Sequence, residues 1–462
     1  MTGNTRKEFE EWINEPIENY SCERVDDNHY VLKNDHADAE VNFYESDIVE
    51  FRILRHGEED PAFFLHFQLN DMNHAKELFA EMIAVLKNVS EKKKIRVLLS
   101  CSSGLTTSYF KAKLNEADFG IYQQYEFFAA DQTRLFELGF DYDVILLAPQ
   151  ISYLYTKARK VFVGRTVLKI PSAIFGSYDV MKALEFVDQA IAKKDAAKPK
   201  PSVRLNVKNT MGKILAVSVQ AGSDPARIAY RIYDHGRITL DEMVIKQYFR
   251  PTDVADILDF VLTTEKDIQI VGVSIPGIIQ PQNGNSLSNL FDDHNVISSM
   301  SKQYNIPVIC ENNVNCAALG YFSTMDEEKN IVFHYQNSRR NIAGQGMICN
   351  GQLITGYKHA AGEVRYMSDM IRFSGNPDEM MRDLDGAAEV VADYLLMSIS
   401  MMSPDKIVVC CKMTPDSKPI REKLSKYIPE SYIPEIICIP DMKEYMLMGQ
   451  VLLCSRYLKE II

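Results

Sequence analysis

The sequence has no C-x-x-C pair among its nine cysteines, and this excludes zinc-knuckle and thioredoxin-like sites by spacing. Cys22, Cys101, Cys310, Cys316, Cys349, Cys410, Cys411, Cys438 and Cys454 fall mostly in hydrophobic segments, where Cys acts as a small buried hydrophobe. An odd number in a cytosolic chain also argues against a disulfide framework. No apolar run reaches about 18 residues, so no membrane span is expected. The opening MTGNTRKEFEEW has no apolar signal core, and a cytoplasmic location is the expectation. Basic residues are outnumbered: 51 Lys and Arg face 63 Asp and Glu, a formal charge of −12. A body of that sign disfavours nucleic-acid binding, since phosphate contacts need a basic surface. The basic stretches EKKKIR and KKDAAKPKPSVR read as solvated charge beside a strand and as a linker.

What is present points to an α/β chain of several domains. At 462 residues it exceeds one ordinary core. Residues 1–90 read as a small α+β domain. EVNFYESDIVEFRILRHG alternates as two strands, and Ala75, Leu78, Phe79, Met82, Ile83 and Leu86 recur at helical spacing. Its histidines show no ligand spacing, and its role is unassigned. Residues 91–194 alternate strand and helix. IRVLLS and DVILLA are apolar runs of the kind found in parallel strands buried on both faces, which predicts an open parallel sheet. Residues 195–203, rich in Lys, Ala and Pro, form a linker. From 204 to 462, two similar runs of antiparallel strands followed by helices predict a duplicated, two-lobed fold.

The stretch LLSCSSGLTTSYF (98–110) carries the sharpest local signal. An apolar strand stops at Cys101, a small-residue loop follows, and a helical pattern begins. At the carboxyl end of a parallel strand, loop amides and the helix dipole favour an anion and would stabilise a thiolate. Local chemistry allows either a phosphate-handling cysteine or a tight structural turn. The loop lacks the Lys of a Walker motif and the Arg that holds phosphate in cysteine phosphatases. That favours carriage of a phosphoryl group over its hydrolysis.

Two further motifs follow in order: VILLAPQISYL (144–154) and VLKIPSAIFGSYDVMKAL (167–184). With CSSGLTTS, they make residues 95–194 resemble the enzyme IIB domain of lactose/cellobiose-type sugar phosphotransferase systems. The resemblance implies that Cys101 accepts a phosphoryl group from a histidine of a IIA partner. Ser102, Ser103, Gly104, Leu105, Thr106, Thr107 and Ser108 would cradle it. In that family the group passes on to a sugar in a membrane IIC protein, of which this sequence holds no segment.

VGVSIPGIIQPQNGN (271–285), IPVICENNVNCAALGYF (306–322) and GQGMICNGQLITGYKHAAGEV (344–364) resemble the ROK family of sugar kinases and repressors. This implies an actin/hexokinase-like fold with sugar between two lobes. The departures from the family pattern are specific. Ser218 stands where the kinases place an Asp for the ATP phosphates. Glu311, Asn312 and Asn313 replace the family's END, so the catalytic base becomes an amide. RNIAGQG (340–346) replaces the second phosphate loop. AGEVRY keeps Glu363 but puts Arg365 and Tyr366 in place of Gly and His. FSGNPDEM (373–380) replaces the cysteine cluster, so structural zinc is not expected. Mg and ATP enter only if kinase chemistry survives. Pro276, Gly277, Gly320, Gly344, Gly346 and Gly362, which serve turns and packing, remain. Asn312, Asn313 and Glu363 are candidates to bond a sugar or to brace the turn between lobes. No helix-turn-helix precedes this region, which disfavours the DNA-binding branch.

The expected function is a cytoplasmic sugar-related sensor or regulator. The IIB-like domain would be phosphorylated on Cys101, and a non-catalytic ROK-like domain would bind a sugar, a sugar phosphate or a partner. The alternatives are an active IIB component, a ROK-type sugar kinase and a purely structural interaction protein. A homo-oligomer fits each of them.

Overall fold

In the first ninety residues, alternation of buried and exposed positions makes strands. After helix α1 (Thr2–Ile13) come β1 (Glu23–Arg24), β2 (His29–Lys33), β3 (Ala37–Phe43), β4 (Ile48–Arg55) and β5 (Phe63–Gln68). They form an antiparallel meander. Ala37, Ala39, Val41 and Phe43 of β3 are buried and alternate with half-buried polar residues. Helix α2 (Met72–Ser90) covers the inner face, and all six apolar positions read from the sequence are buried. The computed structural model describes residues 2–15, 20–90, 95–102, 105–116, 125–162, 165–196, 212–221, 225–280, 285–286, 296–325, 329–338 and 340–461.

The chain next builds β6 (Ile95–Cys101), α3 (Leu105–Glu116), β7 (Tyr125–Asp131), α4 (Leu135–Leu138), β8 (Val144–Leu147), α5 (Tyr155–Val161), β9 (Thr166–Lys169), α6 (Ser172–Ser177) and α7 (Val180–Ala196). The four strands form a parallel sheet of order β7-β6-β8-β9. Every residue of β8 is buried, as its unbroken apolar run requires. Helix α7 enters the predicted linker by two residues, and 197–203 lie outside the described residues.

The rest of the chain repeats one plan twice. The first lobe has β10 (Lys213–Gln220), β11 (Ala226–Asp234), β12 (Arg237–Lys246), α8 (Thr252–Thr264), β13 (Ile270–Ile275), the short pair β14 (Ile279–Gln280) and β15 (Asn285–Ser286), α9 (Val296–Tyr304) and β16 (Val308–Asn312). Helix α10 (Asn313–Phe322) then leads to the second lobe. That lobe has β17 (Ile331–Gln336), β18 (Ala343–Cys349), β19 (Gln352–Ile354), α11 (Pro377–Met380), α12 (Leu384–Met402), β20 (Lys406–Cys410), α13 (Ser417–Leu424), β21 (Glu435–Ile439) and α14 (Lys443–Ile461). The sheet orders are β12-β11-β10-β13-β16 and β19-β18-β17-β20-β21. In both, three antiparallel strands are followed by two parallel ones. The predicted duplication is therefore a duplication of topology.

Helices α10 and α14 exchange lobes. Helix α10 follows the first lobe but packs on β17 and β18, while α14 follows the second but packs on β10 and β13. Where they meet, a methyl on Gly320 would strike the Tyr445 backbone, and one on Gly449 would strike the Cys316 backbone. No helix among the described residues is long and apolar enough to cross a membrane.

The structure changes the picture of residues 1–90 as a domain apart. Strand β5 pairs with β12, with Phe64 opposite Ile245, so the meander and the first lobe make one ten-stranded sheet over one core. Buried charge fixes the seam. The Lys246 ammonium lies 3.1 Å from Glu81 of α2 and also pairs with Asp253 of α8. His74 of α2 meets Asp256 of α8 at 2.7 Å, and the His66 ring stacks on Phe260 at 4.5 Å. Sequence alternation cannot reveal this, because one bridging pair of strands leaves no mark on either pattern.

Candidate functional site

The carboxyl ends of six strands converge on a cavity of about 240 Å³ between the lobes. β10, β13 and β16 deliver Gln220, Gly277 and Asn312 from the first lobe, and β17, β20 and β21 deliver Gln336, Cys410 and Pro440 from the second. Strand ends of this kind are where open α/β sheets bind ligands.

The cavity divides the ENN motif into distinct jobs. Asn312 caps α10: its side-chain oxygen accepts from Val314 N at 2.8 Å and Asn315 N at 3.1 Å. Its Nδ2 donates to the Gly277 carbonyl at 2.8 Å. Both the oxygen and the nitrogen of that amide thus brace the turn. The Glu311 carboxylate lies beneath, accepting from Asn312 N at 2.8 Å and Asn315 Nδ2 at 3.0 Å, and burial pushes its pKa up. Asn313 differs from both. It is 5% exposed, it lines the cavity, and its side chain has no partner among the described residues.

Glu363 reaches the cavity because Gly362 adopts φ 89°, and its carbonyl accepts from Gln345 N at 2.8 Å. Any side chain at 362 would collide with the Gln345 backbone. Burial raises the Glu363 pKa, and Arg365, 3.3 Å away, opposes that shift. The Arg365 guanidinium also lies over the Tyr366 ring at 5.1 Å and donates to its hydroxyl at 3.3 Å. The sequence reading singled out Asn312, Asn313 and Glu363, and all three line this one cavity. It missed Cys410, Cys411, Lys412 and Asp441, which also line it. The signal available was positional: KIVVC is a short apolar run, and the residues after a parallel strand face a cleft. Ser218 does not reach the cavity; it is fully buried and donates to Met446 Sδ at 3.5 Å.

Cys101 belongs to the other sheet. It ends the inner strand β6, with the Ala148 amide of the neighbouring APQ motif donating to the Ser100 carbonyl at 2.9 Å. Its thiol is 2% exposed and lies 3.3 Å from the hydroxyl of Thr107, which is itself fully buried. Thr106 is half-buried, while Ser102 and Ser108 are exposed. Ser103 and Gly104 lie outside the described residues, as does the Leu105 side chain. Tyr178 of the FGSYD stretch adopts φ 52° and packs on Phe110 of α3 at 5.6 Å, so the three motifs do meet around one loop and helix. None of these residues lines the cleft between the lobes.

Residues 217–377 match the family described as ROK family, a span that holds Asn312, Asn313, Glu363 and Arg365 but not Lys412 or Asp441. An uncharacterized protein of Clostridium perfringens (strain 13 / Type A) is 29% identical over 141 residues. Those residues are 29% of this chain and 45% of that protein, so the chain spans less than half the length of this relative. Among solved structures, a ROK family protein from Streptococcus pneumoniae TIGR4 in complex with sucrose is 17% identical with a TM-score of 0.42, covering 54% of this chain and 99% of that one. A ROK hexokinase from Thermus thermophilus is 15% identical with a TM-score of 0.41, covering 54% and 99%.

Proposed function

We propose that this chain, which carries a ROK family domain at residues 217–377, is a sugar-responsive regulator that binds a sugar between its lobes without phosphorylating it. The observation that carries this reading is Asn313, a buried amide at the head of α10 facing the cavity. An amide cannot take the proton of a sugar hydroxyl at neutral pH. Loss of a general base costs roughly 10²–10⁴-fold in rate. The neighbouring Glu311 does not replace it, because it does not line the cavity and its Oε1 holds the turn from beneath. Glu363 and Asn313 supply an acceptor and a mixed donor–acceptor for sugar hydroxyls.

The second part of the reading concerns Cys101. It stands at the carboxyl end of an inner parallel strand, ahead of a helix, in a sheet of order β7-β6-β8-β9. This supports a IIB-type phosphoryl acceptor. The thiolate would attack the phosphorus of a IIA-type phosphohistidine. An S–P bond forms, the N–P bond breaks, the imidazole leaves with a proton, and the thiol proton goes to solvent. Since the thiol is buried against Thr107, its side chain must turn outward first.

Two measurements test the two parts. Thermal denaturation with a panel of hexoses and hexosamines should show a rise in Tm for at least one, while an ATP-coupled assay on the same panel shows no turnover. ATP-dependent turnover abolished by Glu363→Ala would establish the kinase alternative instead. Incubation with a phosphorylated IIA donor should add one phosphoryl group by intact mass, and Cys101→Ser should abolish it. An unchanged mass with the donor removes Cys101 from the proposal.

A further inference from the structure

One wall of the cleft is held from outside the cavity. Pro440, Asp441 and Met442 line the cavity and join β21 of the second lobe to α14. Ile439 stands opposite Cys410 in the parallel ladder, so this segment passes the end of β20, where Cys410 and Cys411 also line the cavity. Burial pushes the Cys410 thiol pKa up, and the nearby Asp441 charge adds to the shift. Asp441 accepts from Lys443 N at 2.7 Å at the start of α14, and Glu444 follows in the same turn.

Glu444 meets the first lobe. Arg231 of β11 binds it twice, Nη1 to Oε2 at 2.8 Å and Nη2 to Oε1 at 3.0 Å. The same guanidinium forks onto Asp241, its ladder partner on β12, through Nε and Nη2 at 3.0 Å each. Nη1 also donates to the Tyr233 hydroxyl at 3.1 Å. All five N–H donors of Arg231 are thus taken, and the residue is 1% exposed. Lys443, 3.4 Å from Glu444, balances the second carboxylate. Desolvation offsets most of the attraction in a buried network of this kind, so it adds little stability over apolar side chains of the same size. What two bidentate forks do fix is geometry, because a planar guanidinium between two carboxylates admits few arrangements.

We infer that Arg231 is a positioning residue for the cleft: by holding Glu444 to β11 and β12, it sets where the Pro440–Met442 wall stands beside Cys410. Arg231, Asp241 and Glu444 lie behind the wall and do not line the cavity, so their effect does not depend on what the cleft binds. The competing hold on the same turn is apolar. Met442 and Met446 pack on the core shared by α10, β17 and β20.

Native-state labelling of the full chain with N-ethylmaleimide, read cysteine by cysteine through peptide mass spectrometry, tests this. Cys410 and Cys411 report the wall, while Cys316 of α10 and Cys454 of α14, both fully buried, report general loosening. In Arg231→Met combined with Glu444→Leu, apolar groups replace the pair, and Asp241, with its side chain 26% exposed, can turn to water. Cys410 should then label about tenfold faster, the change expected for loss of one charge-assisted bond. Cys316 and Cys454 should keep their wild-type rates. Glu444→Gln preserves the shape of the site and leaves Arg231 paired with Asp241, so it should show the same selectivity with a smaller rise. An unchanged Cys410 rate in the double variant, or in Glu444→Gln where the double variant does not fold, means that Met442 and Met446 hold the wall, and it overturns the inference. Equal acceleration of all four cysteines overturns it as well, because Arg231 then serves only the stability of the lobe.

Discussion

The two lobes follow one strand order and are finished differently. In the first, the outer strand β12 is continued by the five-stranded meander, and the seam is held by buried ions. In the second, the outer strand β19 has three residues and ends the sheet. There the polar groups buried on β17, β18 and α12 are neutral, and three of them form a chain. Ser398 donates to the Gln345 carbonyl, Gln345 Nε2 donates to His334 Nδ1 at 3.2 Å, and Gln336 Nε2 donates to the Arg340 carbonyl at 3.1 Å. A shared topology thus leaves open how polar groups are satisfied. One lobe docks an extra module through charge, and the other ties its interior to the 337–342 loop at the cleft through amides.

The largest effect should come from breaking the charged seam. Lys246 is 2% exposed, and Lys246→Ala leaves Asp253 and Glu81 buried without a counter-charge. Loss of one member of a buried pair typically costs about 3–5 kcal/mol, read by urea denaturation. Glu81→Gln should cost far less. Burial raises the Glu81 pKa despite the Lys246 ammonium 3.1 Å away, and an amide oxygen there would still face that ammonium. Equal losses in the two variants would mean that the seam is held by packing, and the contrast between lobes would disappear.

The next effect tests what the lobes share. Gly320→Val places side-chain carbon against the Tyr445 backbone, which cannot swing away as a side chain could. Overpacking of this kind costs about 1–3 kcal/mol, and the upper end is expected here. Because α10 and α14 each pack on the other lobe's sheet, hydrogen exchange should speed up in both lobes together. Acceleration confined to one lobe would show that the helix pair does not couple them.

Much of this architecture was legible in the residues. Period-two alternation placed β3 and β4, and the spacing of Ala75 to Leu86 placed α2. The ENN and AGEV motifs led directly to a shared cavity. Two features were not legible. The joining of β5 to β12 depends on a long-range edge contact that neither segment encodes by itself. Lys412 and Asp441 look like ordinary surface charge until the ends of the neighbouring strands β20 and β21 bring them to the wall of the cleft. At Asn312 the motif allowed a sugar contact or a brace of the turn, and the structure shows the side chain capping α10 while still lining the cavity.

The smallest of the three effects isolates the neutral chain of the second lobe. His334 is fully buried, and burial lowers its pKa from 6.5 to about 3, a shift that the Gln336 side chain opposes only in part. Below pH 6.5 the unfolded chain binds a proton at this residue that the folded lobe refuses until about pH 3. The stability tied to neutral His334 is therefore complete above pH 6.5 and drains away as pH falls toward 3. The slope approaches 1.4 kcal/mol per pH unit, or about 2 kcal/mol between pH 6.5 and 5. His74 has the opposite sign, since its bond to Asp256 raises its pKa, but it is present in both proteins of the comparison and cancels. His334→Gln keeps an amide in the chain and does not titrate. Wild type should exceed it in urea midpoint at pH 7, and the gap should narrow steadily toward pH 5. A gap that stays constant over that range would mean that His334 is not held neutral inside the lobe. The second lobe would then differ from the first only in lacking its buried ions.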